Sequence, residues 1–205
     1  MDAGTAADRG SLAVVILAGG ESLRIGGGKP LRILGERTLL ARALEAAKAW
    51  SDDVAVSIRD PGQVGDLAVP ALVDDSRVAG PVAGLAAALR HTRERSKPFL
   101  LTIPCDMPFL PADLVLRLAD AVGDDVSAAL ASSGGHLHPV CALWRSSALD
   151  QLPDFLDSGG RSLKGFAEHV GFTAIAWPSV AIDPFFNINS EDELGRAEAM
   201  LRGRE

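Results

Sequence analysis

The sequence has few cysteines, no excess of basic residues and no long apolar run. Its two cysteines, Cys105 and Cys141, form no C-x-x-C pair, which excludes a disulfide scaffold and a cysteine-rich zinc module. A reducing compartment, the cytoplasm, is therefore expected. The 205 residues carry a formal net charge of −7, which excludes the broad basic face that duplex nucleic acid requires. A polyanion could bind only at a local basic segment.

The N-terminal region lacks the pattern of a membrane or export segment. The longest early apolar run, residues 12–18, is far shorter than the roughly 20 residues that span a bilayer. Residues 1–11 contain two aspartates against one arginine and so lack the basic region of a signal peptide. We expect no membrane association, a frayed tail at 1–10 and a single domain over 11–205.

Short apolar runs alternate with helically spaced segments along the chain, and 47% of the residues are hydrophobic, enough for a sizeable core. This alternation predicts a single-domain α/β fold of the Rossmann-like type, with a mostly parallel twisted sheet and helices on both faces. Ser190 and Glu193 form a capping box for the last helix. The predicted strands are 12–17, 54–58, 71–73, 99–103, 126–130, 140–144 and 172–176, and the predicted helices are 38–50, 81–91, 111–121 and 191–202.

A glycine-rich segment with two cations directly follows the first predicted strand. It reads Leu17-Ala18-Gly19-Gly20-Glu21-Ser22-Leu23-Arg24-Ile25-Gly26-Gly27-Gly28-Lys29. In an open α/β sheet this strand end faces the ligand crevice, and glycines let backbone N–H groups approach phosphate oxygens. Residues 21–42 contain five basic against two acidic side chains. This is the local basic segment, and it predicts a phosphate site; a flexible surface loop is the alternative.

The spacing of the glycine-rich segment fits none of three common motifs. A Walker loop requires glycine and Ser/Thr where the chain has Leu23 and Pro30, and a dinucleotide fingerprint requires glycine in place of Leu31. A nucleophile elbow around Ser22 requires glycine in place of Arg24. The phosphate site is therefore of another kind.

An aspartate follows a second predicted buried strand, 99–103. The chain continues as Pro104-Cys105-Asp106-Met107-Pro108, so the Asp106 carboxylate is expected in the same crevice as the glycine-rich segment. A carboxylate there suits Mg²⁺, which binds one or two carboxylates together with substrate phosphates. A helix cap or turn is the alternative role of Asp106. Cys105 is expected to be a buried packing residue, since no activating base lies near it.

The glycine-rich segment resembles the signature L-A-[GA]-G-x-S-x-R-M-G-x-K of nucleotidyltransferases that make activated sugars and cofactor dinucleotides. Its Ala-Gly-Gly form is most similar to the molybdenum cofactor guanylyltransferases, which join GMP to molybdopterin, whereas the related cytidylyltransferases usually have Ala-Ala-Gly. Residues 104–108 are similar to the same family's P-C-D-x-P metal motif. The resemblance extends over residues 12 to about 200 and implies a fold of the nucleotide-diphospho-sugar transferase type.

The resemblance implies a nucleotide site, an acceptor site and a Mg²⁺ site. Asp106 would bind Mg²⁺, with Asn187 close to the metal, and Arg24 and Lys29 would neutralise a triphosphate; these two cations and Asp106 would be the catalytic residues. The nucleotide-binding residues would be Leu17, Ala18, Gly19, Gly20, Lys29, Ser57, Asp75 and Asp106. The acceptor-binding residues would be His138, Pro139, Arg161, Asn187 and Asn189.

Several of these residues also have a structural interpretation. Asp74, next to Asp75, is expected to cap a helix, and the asparagines would satisfy backbone groups of a turn. Residues 159–164, with Arg161 and a lysine, fit a solvated loop and helix start. Paired histidines at 136 and 138 could bind a metal, but no third ligand is near in sequence.

The resemblance implies an Mg²⁺-dependent enzyme that transfers GMP from GTP to the terminal phosphate of molybdopterin or its molybdenum-loaded form and releases pyrophosphate. Other cofactor-assembly proteins or apo-molybdoenzymes would be its partners. The chain departs from the family at two positions, where Gly28 replaces an aspartate before the lysine and Ser57 replaces a frequent asparagine. The alternatives are a CTP-using molybdopterin cytidylyltransferase, a sugar nucleotidyltransferase and a nucleotide-binding module that has lost catalysis.

Overall fold

The computed structural model describes residues 8–19, 28–123, 125–179 and 182–203, and these residues form a seven-stranded sheet and a small hairpin. The sheet order is β5-β4-β1-β6-β8-β7-β9, and β2 and β3 form the hairpin. β8 is antiparallel to both of its neighbours, and the other adjacent strands in the sheet are parallel. The strands are β1 (Leu12–Leu17), β2 (Ile33–Leu34), β3 (Arg37–Thr38), β4 (Asp53–Ile58), β5 (Ala71–Val73), β6 (Phe99–Pro104), β7 (Ala128–Ser133), β8 (His136–Arg145) and β9 (Phe172–Trp177).

Helices cover both faces of the sheet. They are α1 (Leu39–Trp50), α2 (Val82–Glu94), α3 (Leu114–Ala121), α4 (Leu152–Asp157), α5 (Leu163–Val170) and α6 (Glu191–Arg202). α1 and α3 pack in one hydrophobic cluster with the sheet, and α2, α4 and α5 pack in a second cluster on the other face. α6 packs with the hairpin in a third, smaller cluster. In the described part of the chain, none of the helices has the length and apolar character needed to cross a bilayer.

The helices α1 and α6 each begin at a side chain that caps them. The Thr38 hydroxyl accepts a hydrogen bond from the Ala41 N–H at 3.1 Å, at the start of α1. The Ser190 hydroxyl accepts one from the Glu193 N–H at 3.2 Å, and the Glu193 carboxylate accepts one from the Asn189 N–H at 2.7 Å. The predicted capping box is thus confirmed. It fixes the start of α6 directly after Asn189.

The central strand β1 is buried on both faces, because helices cover the sheet on both sides. Val14 and Ile16 belong to the cluster with α1 and α3, while Val15 between them belongs to the cluster with α2. This alternation follows from the two-residue period of a strand. The end of β1, which precedes the glycine-rich segment, therefore stands on a rigid core.

The predicted α/β fold and its seven strands are confirmed, with shifts where β7 and β8 join. Gly134 and Gly135, with φ of 54° and 80°, form a two-residue hairpin turn, as such turns require. β8 therefore begins at residue 136, four residues before the prediction. The hairpin β2–β3 and the helix α4 were not predicted, because strands of two residues and a helix of six show too little periodicity. For α5, only a helix start within residues 159–164 was expected.

A bulge in β8 turns part of this strand toward the carboxyl edge of the sheet. Leu130 pairs with Ala142, but the next residue, Ala131, pairs with His138. Residues 139–141 are therefore extra on the β8 side of the ladder. Proline lacks a backbone N–H, so Pro139 is well suited to such a position.

Replacing Thr102 with valine tests the buried polar contact at the centre of the sheet. The fully buried Trp144 donates its indole N–H to the Thr102 hydroxyl at 3.0 Å. Thr102→Val removes the hydroxyl at nearly constant volume and leaves the indole N–H unpaired, so the free energy of unfolding should fall by about 1–3 kcal/mol. Urea denaturation measures the change. The control Thr173→Val, on the half-buried edge strand β9, should change it by less than about 0.5 kcal/mol.

Candidate active site

A cavity of about 490 Å³ lies at the carboxyl edge of the sheet. The ends of β1, β4, β5 and β6 meet there, together with the bulged start of β8 and the N-terminal ends of α2 and α5. In open α/β sheets this edge is where ligands bind. The cavity is lined by Leu17, Gly19, Ser57, Arg59, Asp74, Gly80, Pro81, Gly84, Pro104, Asp106, Pro139, Val140, Ser162, Leu163, Lys164 and Asn187.

Two glycines, one after β1 and one in α2, allow close approach to β4 and to the end of β5 around the cavity. A Cβ at position 19 would lie 2.8 Å from the Asp74 carboxylate, and a Cβ at position 84 would lie 2.7 Å from the Ser57 hydroxyl. Both distances are shorter than a carbon–oxygen contact allows. Gly19 and Gly84 are therefore required by packing around the cavity as well as by any approach of a ligand.

Lys29 is in contact with both Asp106 and Asn189 beside the cavity, which Asp106 lines. The Lys29 ammonium forms an ion pair with Asp106 Oδ2 and donates a hydrogen bond to Asn189 Oδ1 at 2.8 Å. The Lys29 and Asp106 side chains are only 10% and 16% exposed, so the pair is screened little by solvent. The Ile188 N–H also donates to the Asp106 carbonyl at 3.0 Å. The segment 187–189 is thus tied to the end of β6.

Two buried oxygens at this point have no hydrogen-bond partner among the described residues. They are Asp106 Oδ1 and Asn187 Oδ1. Buried polar atoms are nearly always paired, and a carboxylate oxygen left unpaired is costly. Both atoms belong to residues that line the cavity, and carboxylate and amide oxygens are ligands that Mg²⁺ prefers. The residues present therefore fit a divalent cation, although the described ranges contain no cluster of three or more His, Cys, Asp or Glu side chains suited to a metal ion.

Of the two neighbouring aspartates after β5, Asp74 lines the cavity. It accepts a hydrogen bond from the Ser57 hydroxyl at 2.6 Å, and burial raises the pKa of the Asp74 carboxyl above its usual value. Ser57 is 1% exposed. Asp74 does not cap a helix, in contrast to the sequence-based expectation.

Asp75 lies outside the lining of the cavity. Arg77 donates two side-chain hydrogen bonds to it at 3.0 and 2.8 Å, and Arg90 lies 3.7 Å from it. The hydrogen bonds from Arg77 lower the pKa of Asp75 to about 2. Asp74 lies two residues after Leu72, which packs against the core, but β5 ends at Val73, so the period of the strand does not by itself separate the two aspartates.

The predicted acceptor residues are found at different distances from the cavity. Pro139 and Asn187 line it, whereas Asn189 does not and is bonded to Lys29, which pairs with Asp106 of the lining. Arg161 is exposed and does not line it; its backbone carbonyl accepts a hydrogen bond from the Val82 N–H at 3.3 Å.

Instead of Arg161, the three following residues, 162–164, line the cavity at the start of α5. Ser162 caps this helix by accepting the Gly165 N–H at 3.0 Å. Lys164 pairs with Glu168 at 3.6 Å and contributes a positive charge at the rim. The sequence pattern indicated a solvated loop and a helix start here, and the structure confirms the helix start at α5 (Leu163–Val170).

His138 is directed away from the cavity lining. Its Nε2 lies 2.8 Å from the Ser133 hydroxyl, and its ring stacks on Phe185 with a centroid distance of 4.7 Å. Burial lowers the pKa of His138 below its usual value. The neutral imidazole is therefore favoured.

Some of the predicted nucleotide-binding residues lie at or next to the cavity, and others lie outside the described residues. Leu17 lines the cavity, and the Ala18 carbonyl accepts a hydrogen bond from Gln63 at 2.7 Å. Gly20 and Arg24 lie outside the described residues, so their predicted roles stay predictions.

Gly28, which replaces an aspartate of the family, leaves the ion pair between Lys29 and Asp106 intact. Gly28 has φ of 61°, and a Cβ built there would have no atom within 4 Å. The side chain of an aspartate at this position would extend into open space. The ion pair of Lys29 and Asp106 therefore forms without it.

The two thiols take no part in the site. Cys105 and Cys141 are buried and unpaired, and burial raises the pKa of Cys105 to about 12. A thiol with so high a pKa is a poor nucleophile. Cys105 is a packing residue, as expected.

Comparison with known proteins points to one family. Residues 14–170 match the family model described as MobA-like NTP transferase domain. The chain is 40% identical over 192 residues to the molybdenum cofactor guanylyltransferase of Acidiphilium cryptum (strain JF-5), with 92% of this chain and 94% of that protein covered. It is 35% identical over 193 residues to the molybdenum cofactor guanylyltransferase of Bradyrhizobium sp. (strain ORS 278), with 91% of each covered.

A solved structure agrees with these relatives. The crystal structure of molybdopterin-guanine dinucleotide biosynthesis protein A from Archaeoglobus fulgidus superposes with a TM-score of 0.72 at 25% identity, covering 93% of this chain and 99% of that one. Fold, sequence and the position of the cavity all lead to the same conclusion. The chain belongs to the MobA-like NTP transferase family and, within it, to the molybdenum cofactor guanylyltransferases.

Proposed function

We propose that the protein transfers GMP from GTP to the terminal phosphate of molybdopterin or its molybdenum-loaded form, and that the reaction depends on Mg²⁺. The observation that carries the proposal is a pair of buried oxygens, Asp106 Oδ1 and Asn187 Oδ1, that have no partner among the described residues and belong to residues lining the cavity, together with the Lys29 ammonium paired with Asp106. A carboxylate, an amide oxygen and a fixed cation together suit a metal-bound triphosphate. The names of the relatives supply the nucleotide and the acceptor.

The base of GTP is proposed to lie against the ends of β4 and β5. Guanine presents two adjacent donors, N1–H and the N2 amino group, and an ionised Asp74 carboxylate can accept both. The Ser57 hydroxyl already donates to this carboxylate and holds it in place. Gly19 carries no side chain that would fill the space beside Asp74, so a purine has room there. Cytosine lacks the paired donors.

Lys29, Asp106 and Asn187 are proposed to hold the phosphates and Mg²⁺. Asp106 Oδ1 and Asn187 Oδ1 would be protein ligands of the ion, while Lys29 would pair with phosphate oxygens, as Arg24 is predicted to do. When bound, Mg²⁺ supplies charge neutralisation at the phosphoryl oxygens. In the structure Lys29 pairs with Asp106. Its ammonium would therefore lie within reach of phosphates bound to a Mg²⁺ ion at Asp106.

The acceptor is proposed to enter from the side of β8 and α5, where Pro139, Val140 and Lys164 line the cavity. An oxygen of its terminal phosphate attacks the α-phosphorus in line, the bond from that phosphorus to the bridging α,β-oxygen breaks, and pyrophosphate leaves with the electron pair. Lys164 places a positive charge on the acceptor side. The side chains position the reactants and neutralise charge, and none of them needs to be a nucleophile.

The compartment of the enzyme is proposed from its thiols, and its partner proteins are proposed from its product. The two unpaired thiols support the cytoplasm as its compartment, since thiols stay reduced there. A dinucleotide cofactor must pass to the enzymes that use it, so cofactor-assembly proteins or apo-molybdoenzymes are the partners we expect.

The nucleotide preference can be measured directly. The purified protein is incubated with molybdopterin, Mg²⁺ and each of the four nucleoside triphosphates, and pyrophosphate and dinucleotide are quantified. GTP should be turned over at least about tenfold better than CTP, because one lost charge-assisted hydrogen bond costs about 1.5–3 kcal/mol. Preference for CTP contradicts the proposal. Tight binding of GTP without turnover would identify a nucleotide-binding module.

Removing either charge of the buried ion pair tests the phosphate and metal site. Lys29→Met and Asp106→Asn should each lower the rate of pyrophosphate release by about 100-fold or more, since each removes a charge that stabilises the transition state. Circular dichroism should show an intact fold. Lys48→Met, at an exposed position on α1, is the matched control and should retain full activity. Full activity in folded Asp106→Asn would exclude Asp106 as a metal ligand.

The adjacent aspartates provide a matched pair for base recognition. Asp74→Asn should weaken GTP binding about tenfold or more, because an amide cannot accept both guanine donors as a carboxylate does. Asp75→Asn should change it by less than about twofold, since Asp75 is engaged by Arg77 outside the cavity. Equilibrium titration with a fluorescent GTP analogue measures both. The reverse result would assign the base to Asp75.

A further inference from the structure

The segment 183–189 carries both asparagines of the candidate active site, and contacts outside the cavity fix its start. Asp183 Oδ1 accepts a hydrogen bond from the Phe185 N–H at 2.9 Å, and the Asp183 carbonyl accepts one from the Phe186 N–H at 3.0 Å. These two bonds define a turn. The turn ends immediately before Asn187, so Asp183 sets the direction from which the chain enters the site.

The other oxygen of Asp183 is bonded to the β7–β8 hairpin. The Ser133 hydroxyl donates to Asp183 Oδ2 at 3.0 Å and lies 2.8 Å from His138 Nε2. An ionised carboxylate only accepts, so the hydroxyl proton is directed to Asp183 and the Nε2–H of His138 donates to Ser133. Ser133 is 3% exposed. The result is a continuous, largely buried chain of hydrogen bonds through His138, Ser133 and Asp183.

His138 supports the same turn a second time through its ring. The imidazole stacks on Phe185 with an interplanar angle of 14°, and Trp177 packs edge-on against Phe185 with centroids 5.4 Å apart. Phe185 is 2% exposed. Because side chains in a close-packed interior have little freedom to move, the turn is held by packing as well as by hydrogen bonds.

We infer that His138, Ser133 and Asp183 are positioning residues for Asn187, whose amide oxygen they hold in place as a ligand for the divalent cation. This inference rests on the proposed function, from which it takes the cation site. The far end of the segment is already held, because Ile188 and Asn189 are bonded to Asp106 and Lys29. Fixing both ends restricts the backbone of Asn187 and therefore the directions that its side chain can take. His138 thus acts through Ser133 and Phe185, not by touching the acceptor.

The test measures metal affinity apart from activity. Mn²⁺ is titrated into the full-length protein with α,β-methylene-GTP, which cannot release pyrophosphate, and free Mn²⁺ is followed by electron paramagnetic resonance. Ser133→Ala, Asp183→Ala and His138→Phe should each weaken Mn²⁺ binding about tenfold or more, as loss of outer partners of metal ligands does. Affinity for the analogue in EDTA should stay within about twofold of the wild type, which also shows that the variants fold.

A conservative variant should restore the function. In Asp183→Asn the amide oxygen can still accept the Phe185 N–H, and the amide nitrogen can donate to the Ser133 hydroxyl, which then donates to His138. Mn²⁺ affinity should remain within about threefold of the wild type. The matched control is Ser132→Ala, at the neighbouring position of β7, which removes the 3.1 Å hydrogen bond from the Ser132 hydroxyl to the Ile175 carbonyl and should leave Mn²⁺ affinity unchanged.

Three results would overturn the inference alone: wild-type Mn²⁺ affinity in Ser133→Ala, an equal loss in Ser132→Ala, or a His138→Phe variant that changes only the acceptor KM. Absence of Mn²⁺ binding by the wild-type protein would instead remove the cation site of the proposed function, and the inference with it. The two failures are therefore distinguishable.

Discussion

The buried ion pair between Lys29 and Asp106 is the interaction on which the candidate active site depends. Either charge alone would be costly to bury, so each stabilises the position of the other. Asn189 accepts a hydrogen bond from the same ammonium, and parts of the chain that are far apart in sequence therefore meet at one point. One oxygen of Asp106 is left without a partner among the described residues, and this oxygen is available to a second cation.

The sheet topology creates the space in which this pair lies. β8 runs antiparallel to β6, and the pairing between them covers only residues 99–102 of β6. The last residues of β6 therefore lack a strand on that side, and the segment 187–189 crosses there and bonds to the Asp106 backbone. The bulge at 139–141 widens the same edge. The reversal of a single strand thus separates the side at β1, β4 and β5, where we propose that the nucleotide binds, from the side at β8 and α5, where we propose that the acceptor binds.

Much of the fold and part of the site could be predicted from local pattern. The buried strands are short apolar runs, the start of α6 is a capping box, and Asp106 follows a strand whose end must face the crevice. Local pattern did not show which of Asp74 and Asp75 faces the cavity, because consecutive residues of an extended chain point to opposite sides and a shift of one residue exchanges them. His138 was expected at the acceptor on resemblance, but its partners Ser133 and Phe185 direct it elsewhere. Only the start of α5 could be predicted, because the helix is short and its burial depends on contacts with α2 and α4.

The sequence by itself determined the alternation of strands and helices, the glycine-rich segment with its basic residues, the position of Asp106 and the family resemblance. Each of these depends on residue type and on spacing along a few turns or one strand. The tertiary structure alone decided that Asp74 lines the cavity, that Lys29 pairs with Asp106, and that a turn at Asp183 directs Asn187. These facts depend on contacts between residues up to 160 positions apart, and local periodicity carries no information about which distant side chains will share a buried space.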